Sequence, residues 1–273
     1  MTNPPLPRVL TIAGSDSGGG AGIEADLKTI AALGGYGMAA ITSVTAQNTQ
    51  GVFGIHDIPP EMVAQQIEVV VTDIGVDAVK IGMLSHAGII DAVAGSLKKL
   101  QVPNLVIDPV MVAKSGDALL QSEAREALIT QLLPLADLIT PNIPEAEVLA
   151  GMRIQDEASL RRAGEQILTL GVRCVLLKGG HLEGEQATDW LYDGSAWTTY
   201  SAPRINTKNT HGTGCTYSAA IATCLAQGQA LPAAVDAAKQ YLSGAIRANL
   251  ALGQGHGPLH HLWRQHPLQP QAS

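Results

Sequence analysis

Between Arg8 and Leu250, short apolar runs alternate with amphipathic stretches of helical period. No other feature constrains the fold as tightly, because a strand followed by a helix and another strand closes into a parallel β-sheet unit. The apolar runs are Arg8–Gly14, Met38–Gln47, Asp77–Gly82, Leu105–Pro109, Asp137–Thr140 and Arg173–Lys178. The helical stretches are Ala21–Leu33, Glu61–Thr72, Ala87–Leu100, Ser122–Leu132, Glu157–Leu170, Thr213–Gln227 and Pro232–Leu250. Val52–Ile58 reads as a strand at an edge, and Ala187–Tyr192 with Ala196–Ser201 as an antiparallel pair around Asp193-Gly194. The expected class is α/β, a mostly parallel sheet with helices on both faces. Its core must be built from Ala, Val, Leu and Ile, since aromatics make up only 3% of the chain and Phe53 is the single phenylalanine.

The 273 residues suit one large α/β domain, taken here as 1–258. After Pro258 the composition changes, and 259–273 is expected to fray. The tail carries His260, His261 and His266 without an acid or cysteine at useful spacing, a poor metal set. A net charge of −7 and few aromatics argue against nucleic acid as a partner. A phosphate-bearing ligand would need local positive potential: helix starts, a few lysines, a divalent metal. Cys174, Cys215 and Cys224 show no C-x-x-C spacing. With no leader-like apolar segment, they suggest reduced thiols in the cytoplasm. No apolar run is long enough for a membrane span.

Several positions stand out against this frame. Ser15–Gly22 is a Gly/Ser/Asp loop between strand and helix, without G-x-G-x-x-G spacing and without the lysine of a P-loop. In the following helix Asp26 falls inside the stripe of Ile23, Leu27, Ile30 and Leu33, where a carboxylate must find partners or be neutral. It either caps a nearby loop or meets a ligand at the strand's carboxyl end, and the ligand contact is the expectation. Gln47 ends a strand, and its amide offers a donor beside an acceptor, an edge that matches an aminopyrimidine. Asp108 closes another strand before a loop carrying Lys114-Ser115-Gly116. Lys178 ends a strand beside two glycines, either snorkelling or placed for phosphate. Asn142-Ile143-Pro144-Glu145 fits a helix capping box, and it also fits water-mediated Mg²⁺ binding; both can hold together. Gly180–Gln186 is a polar loop suited to a moving flap. In N-T-H-G-T-G-C, Gly212, Thr213 and Gly214 lead into a helix whose first turn leaves amide N–H groups uncovered, an anion hole with Cys215 in its wall. A thiol there is expected to ionise more easily than a free one.

Together these segments resemble the ribokinase superfamily, and closely the hydroxymethylpyrimidine/phosphomethylpyrimidine kinases. The likeness runs from about Val9 to about Ala251 and rests on A-G-S-D-S-G-G-G-A-G-I-E-A-D-L-K-T, T-A-Q-N-T-Q-G-V, K-I-G-M-L, D-P-V-M-V-A-K-S-G, T-P-N-I-P-E-A, L-L-K-G-G-H and N-T-H-G-T-G-C. It implies a three-layer α/β/α sandwich, Mg·ATP as donor, a homodimer, and two phosphorylations at one site. The acceptors would be 4-amino-5-hydroxymethyl-2-methylpyrimidine and then its monophosphate. Gln47, Asp26 and the Gly14 backbone would hold the pyrimidine, with Met83 and Val110 against its ring. Asn142, Glu145, Asp108, Lys178 and His211 would serve ATP, phosphate and, for Asn142 and Glu145, magnesium. Gly212–Cys215 would hold the transferred group, with Cys215 as thiolate accepting the hydroxyl proton. Sugar kinases of the superfamily carry Asp at the position of Cys215, which weighs against a sugar substrate. A pyridoxine/pyridoxal kinase is the nearest rival and a catalytically inactive vitamin-precursor sensor a more distant one.

Overall fold

A computed structural model describes residues 6–111, 122–181 and 184–268. Nine strands form one sheet: β1 (Arg8–Asp16), β2 (Tyr36–Gln47), β3 (Val52–Asp57), β4 (Ala78–Ile81), β5 (Leu105–Ile107), β6 (Leu138–Ile139), β7 (Cys174–Lys178), β8 (Gln186–Tyr192) and β9 (Trp197–Pro203). Their order is β3-β2-β1-β4-β5-β6-β7-β8-β9. From β2 to β7 every neighbouring pair is parallel. β3 pairs antiparallel at one edge and the β8–β9 hairpin at the other, as the sequence suggests.

The central strands are buried on both faces, and alternate residues feed two cores. Leu10, Ile12, Val79, Ile81 and Ile107 face a layer of α2 (Pro60–Asp73), α3 (Ala87–Leu100), α4 (Ser122–Ala127), α5 (Ile143–Ala150) and α6 (Glu157–Leu168). Val9, Ala78, Val106 and Leu176 face α1 (Gly22–Ala32), α7 (Thr213–Ala226) and α8 (Leu231–Arg247). This is the expected three-layer sandwich. Each fully buried Leu or Ile contributes about 1.5–3 kcal/mol, so the sheet is a stiff platform for the loops at its carboxyl edge.

Two expectations are corrected. The stretch 122–132 is not one α-helix: beyond Ala127 it continues as a π segment (Leu128–Leu132) and a 3₁₀ turn (Leu133–Leu135). Pro134 has no N–H to continue a ladder, and Leu128, Leu132 and Leu133 turn into the core. The expectation that the tail frays fails at its start. Leu259 is 2% and His261 4% exposed. Tyr241 Oη donates to the His261 carbonyl at 2.6 Å, and Gln265 Nε2 to the Ala32 carbonyl at 2.6 Å. The Trp263 ring fills the space that a Cβ on Gly244 would need. The Lys114-Ser115-Gly116 loop lies outside the described residues, as do residues 182 and 183 of the expected flap.

Candidate active site

The carboxyl ends of β1, β2, β5 and β7 and the start of α7 converge on one cavity of about 170 Å³. Of the residues singled out in the sequence, Gly14, Gln47, Met83, Val110, Asp108, Asn142, Glu145, Lys178, His211, Gly212, Thr213, Gly214 and Cys215 line it. A second cavity of about 370 Å³ lies alongside, between the β8–β9 hairpin and helices α7 and α8. The two share Asn142, Lys178, Thr210, Thr213 and Gly214.

Those shared residues are held tightly. Asn142 caps α5: its side chain accepts from the Glu145 N–H at 2.9 Å, and Glu145 Oε2 accepts from the Asn142 N–H at 2.8 Å. Asn142 also bridges Lys178 in parallel register, which ties the helix start to the end of β7. Lys178 Nζ donates to Asp108 Oδ1 at 2.6 Å, and Thr140 Oγ1 donates to the same oxygen at 3.1 Å. Burial opposes charge on Lys178, but Asp108 and Glu145 outweigh it and hold the lysine above its ordinary pKa. A Cβ on Gly214 would stand 2.9 Å from Asp108 Oδ2 and 3.3 Å from Lys178 Nζ. The bare glycine therefore lets this ion pair reach the mouth of α7.

At that mouth Gly212 has φ +80, and a Cβ there would collide with the Gly20 carbonyl oxygen. The N–H groups of Gly214 and Cys215 fall in the first turn, where the helix itself offers no acceptor. Strain and crowding together should make Gly212→Ala cost about 2–4 kcal/mol, read as a lowered Tm alongside lost turnover. An unchanged Tm would mean that the turn relaxes without cost.

The glycine loop before α1 is not a phosphate cradle. Asp16 Oδ1 and Oδ2 accept the N–H groups of Gly18 at 2.8 Å, Gly20 at 3.0 Å and Ala21 at 2.8 Å. The same carboxylate takes His211 Nε2 at 2.8 Å. Burial alone would raise the Asp16 pKa, yet the His211 and backbone bonds leave it below the ordinary range. His211, expected at phosphate, therefore spends Nε2 on fastening the loop to α7.

Two site expectations need correction. Asp26 is not on the cavity wall: it is fully buried, with Oδ2 2.8 Å from Lys80 Nζ and 2.6 Å from Thr11 Oγ1. The apolar stripe signalled a carboxylate needing a partner, and the partner is another strand, not a ligand. Cys215, half-buried at the wall, is not an easily ionised thiol in the ligand-free protein. Burial pushes it up to about 11, Asp26 and Asp108 push the same way, and Lys80 and the Gly22 N–H only partly oppose them. Burial outweighs both.

Sequence reading missed Lys80, Asp16, Thr45 and Val52 in this cavity, and Asp189, Lys239 and Tyr217 in the larger one. Lys80 had a signal, a charged residue inside a buried strand run. Lys239 is similar: it sits in the buried stripe of α8 and donates to Asp189 Oδ2 at 2.6 Å.

Among the described residues no three His, Cys, Asp or Glu side chains converge as a metal cage. The oxygen donors of Asn142 and Glu145 nevertheless suit Mg²⁺ through water. Each already spends an oxygen on the capping box, so metal-bound water can reach the remaining lone pairs without opening the helix start. Burial raises Glu145 to about 7, with Lys178 opposing and Asp108 adding. A carboxyl whose pKa rises from 4.5 unfolded to about 7 folded favours the native state below that window and loses this contribution as pH rises through it. Between about pH 5 and about pH 8 the Tm of wild type should therefore fall further than the Tm of Glu145→Gln. Parallel Tm curves would remove Glu145 as the source.

The doubly covered, mostly parallel sheet is the fold of ribokinase-like kinases among the solved structures. Residues 16–260 match the family described as phosphomethylpyrimidine kinase. The chain belongs to that family. It is 53% identical over 262 residues to the hydroxymethylpyrimidine/phosphomethylpyrimidine kinase of Streptomyces coelicolor, covering 95% of this chain and 97% of that one. It is 54% identical over 260 residues to the thiamine biosynthesis bifunctional protein ThiED of Geobacter sulfurreducens, covering 94% of this chain but only 53% of that longer protein. The Bacillus subtilis pyridoxal kinase, solved as an ADP complex, superposes with a TM-score of 0.88 at 41% identity, covering 94% of this chain and 98% of that one.

Proposed function

We propose that this kinase transfers the γ-phosphoryl group of ATP to 4-amino-5-hydroxymethyl-2-methylpyrimidine and then to the resulting monophosphate, in thiamine biosynthesis. The observation that carries the proposal is the shared wall at Lys178, Asn142 and Gly214 between a small cavity and a larger one. The pyrimidine would sit by Gln47, Met83 and Val110 with its hydroxymethyl group toward Cys215. ATP would sit between the β8–β9 hairpin and α8.

Phosphoryl transfer needs alignment and charge neutralisation more than covalent chemistry. Lys178 and the Gly214 and Cys215 N–H groups would steady the migrating group. Mg²⁺, held through water by Asn142 and Glu145, would supply further neutralisation when bound. Cys215 would accept the hydroxyl proton. With its thiol near 11, only the small thiolate fraction present at neutral pH could take that proton, and in a loose transition state the proton would leave the alcohol late, as P–O bond formation advances. In the second phosphorylation the acceptor is already ionised and needs no such base.

The same proposal includes a cytoplasmic homodimer. The unpaired Cys174, Cys215 and Cys224 support a reducing compartment, and the family likeness supports the dimer. Among the described residues no helix is long and apolar enough to cross a membrane.

A coupled ATP-consumption assay with the pyrimidine, its monophosphate, pyridoxine and pyridoxal tests the assignment. Turnover with both pyrimidine compounds is expected, at kcat/KM well above that for either pyridine. Turnover confined to the pyridines would make the chain a pyridoxine/pyridoxal kinase. Binding without turnover would make it a sensor.

A further inference from the structure

Beneath the smaller cavity lies a charge pair that the roles above leave unexplained. Lys80 Nζ and Asp26 Oδ2 are 2.8 Å apart, and both side chains are 0% exposed. Thr11 and Lys80 are register partners on adjacent parallel strands, so Thr11 Oγ1 reaches Asp26 Oδ2 from beside the lysine. Asp26 Oδ1 has no hydrogen-bond partner among the described residues. A buried pair with an unsatisfied oxygen is a poor source of stability, and well-packed apolar side chains commonly replace such pairs without loss. Stability alone gives little reason to keep it.

Position gives a reason. Lys80 lies on the wall of the cavity that holds Cys215. The charged groups that bear on the sulfur are Lys80 from β4, Asp26 from α1, Asp108 beyond β5 and Lys178 at the end of β7. Lys178 is already paired with Asp108 at 2.6 Å and faces the incoming phosphoryl group. Lys80, paired in its turn with Asp26, has no such phosphoryl role, and its own ammonium is secure. Burial opposes that charge, but Asp26, Cys215 and Asp108 outweigh it and raise the lysine above its ordinary pKa.

We propose that Lys80 is a positioning residue for the alcohol step: its ammonium, fixed by Asp26 beneath the cavity, supplies positive charge that favours the minor thiolate form of Cys215 facing the hydroxymethyl group. In that step the alcohol O–H bond breaks and an S–H bond forms. The alcohol oxygen bonds the γ-phosphorus as its bond to the bridging oxygen breaks, and the negative charge leaves on ADP. Lys80 keeps its proton throughout. The inference rests on Cys215 as the proton acceptor.

Lys80→Met and Asp26→Asn test it in opposite directions. Lys80→Met should slow the first phosphorylation about 10²-fold and leave the second within about threefold. With iodoacetamide at pH 8 and the Cys215 peptide followed by mass spectrometry, Lys80→Met should alkylate about tenfold more slowly than wild type and Asp26→Asn about tenfold faster. Wild-type alkylation in both variants, or equal loss in both phosphorylations, overturns the proposal. Should Lys80→Met fail to fold, the isosteric Asp26→Asn decides alone, and unchanged or slower alkylation counts against Lys80. An unimpaired first step in Cys215→Ala would instead sink the parent reading. A crippled Cys215→Ala with wild-type alkylation in the Lys80 and Asp26 variants would sink this inference only.

Discussion

Replacing Cys215 by alanine is expected to slow phosphorylation of the alcohol by about 10²–10⁴-fold while phosphorylation of the monophosphate stays within about threefold. The asymmetry follows from the acceptors. A hydroxymethyl oxygen must shed a proton as it bonds phosphorus, whereas a phosphate monoester loses its second proton near pH 6 and is already anionic. The pH dependence carries the same signature. Because burial places the thiol near 11, the first step should accelerate as pH rises from neutral towards that value, and the second should stay flat there. Rapid-quench measurement of each step separately distinguishes the two. Comparable losses in both steps would reduce Cys215 to packing.

Lys178→Ala should lower kcat about 10²-fold or more in both steps, because it removes charge aimed at the group being transferred and not at the acceptor. KM for the pyrimidine should change little. The variant also leaves Asp108, 2% exposed, facing Glu145 without its cation. Breaking a buried pair from one side costs about 3–5 kcal/mol, so a lower Tm should accompany the lost turnover. Lys178→Arg, which keeps the charge, separates the effects by recovering stability more fully than turnover. Unchanged turnover in Lys178→Ala would remove this lysine from the chemistry.

The layers of the fold are legible in the sequence because period decides them: strand runs buried on both faces are mostly apolar, with Lys80 and Thr11 as exceptions, and the edge strand and the hairpin carry turn residues. The capping box at Asn142 is legible for the same reason, since its geometry is set within four residues. What escapes is set by contacts distant in sequence. Asp26 announces that it needs a partner, but Lys80 becomes its neighbour only through the pairing of β1 with β4. Asp16 reads as one more loop residue until its carboxylate is seen gathering the N–H groups that a phosphate would otherwise have taken. The expected ease of Cys215 ionisation fails because a local rule about helix starts cannot weigh burial. The tail misleads because Trp263 and His261 look like isolated residues in a polar segment, while their seats, Gly244 and Tyr241, lie on α8.

The most direct test is a crystal structure with the pyrimidine and a non-hydrolysable ATP analogue bound together. The account predicts the hydroxymethyl oxygen within about 3–4 Å of Cys215 Sγ, the ring edge on Gln47, and the γ-phosphoryl oxygens at the Gly214 and Cys215 N–H groups beside Lys178. A pyrimidine bound away from Gln47 and Cys215, or a γ-phosphate turned away from the start of α7, would contradict it.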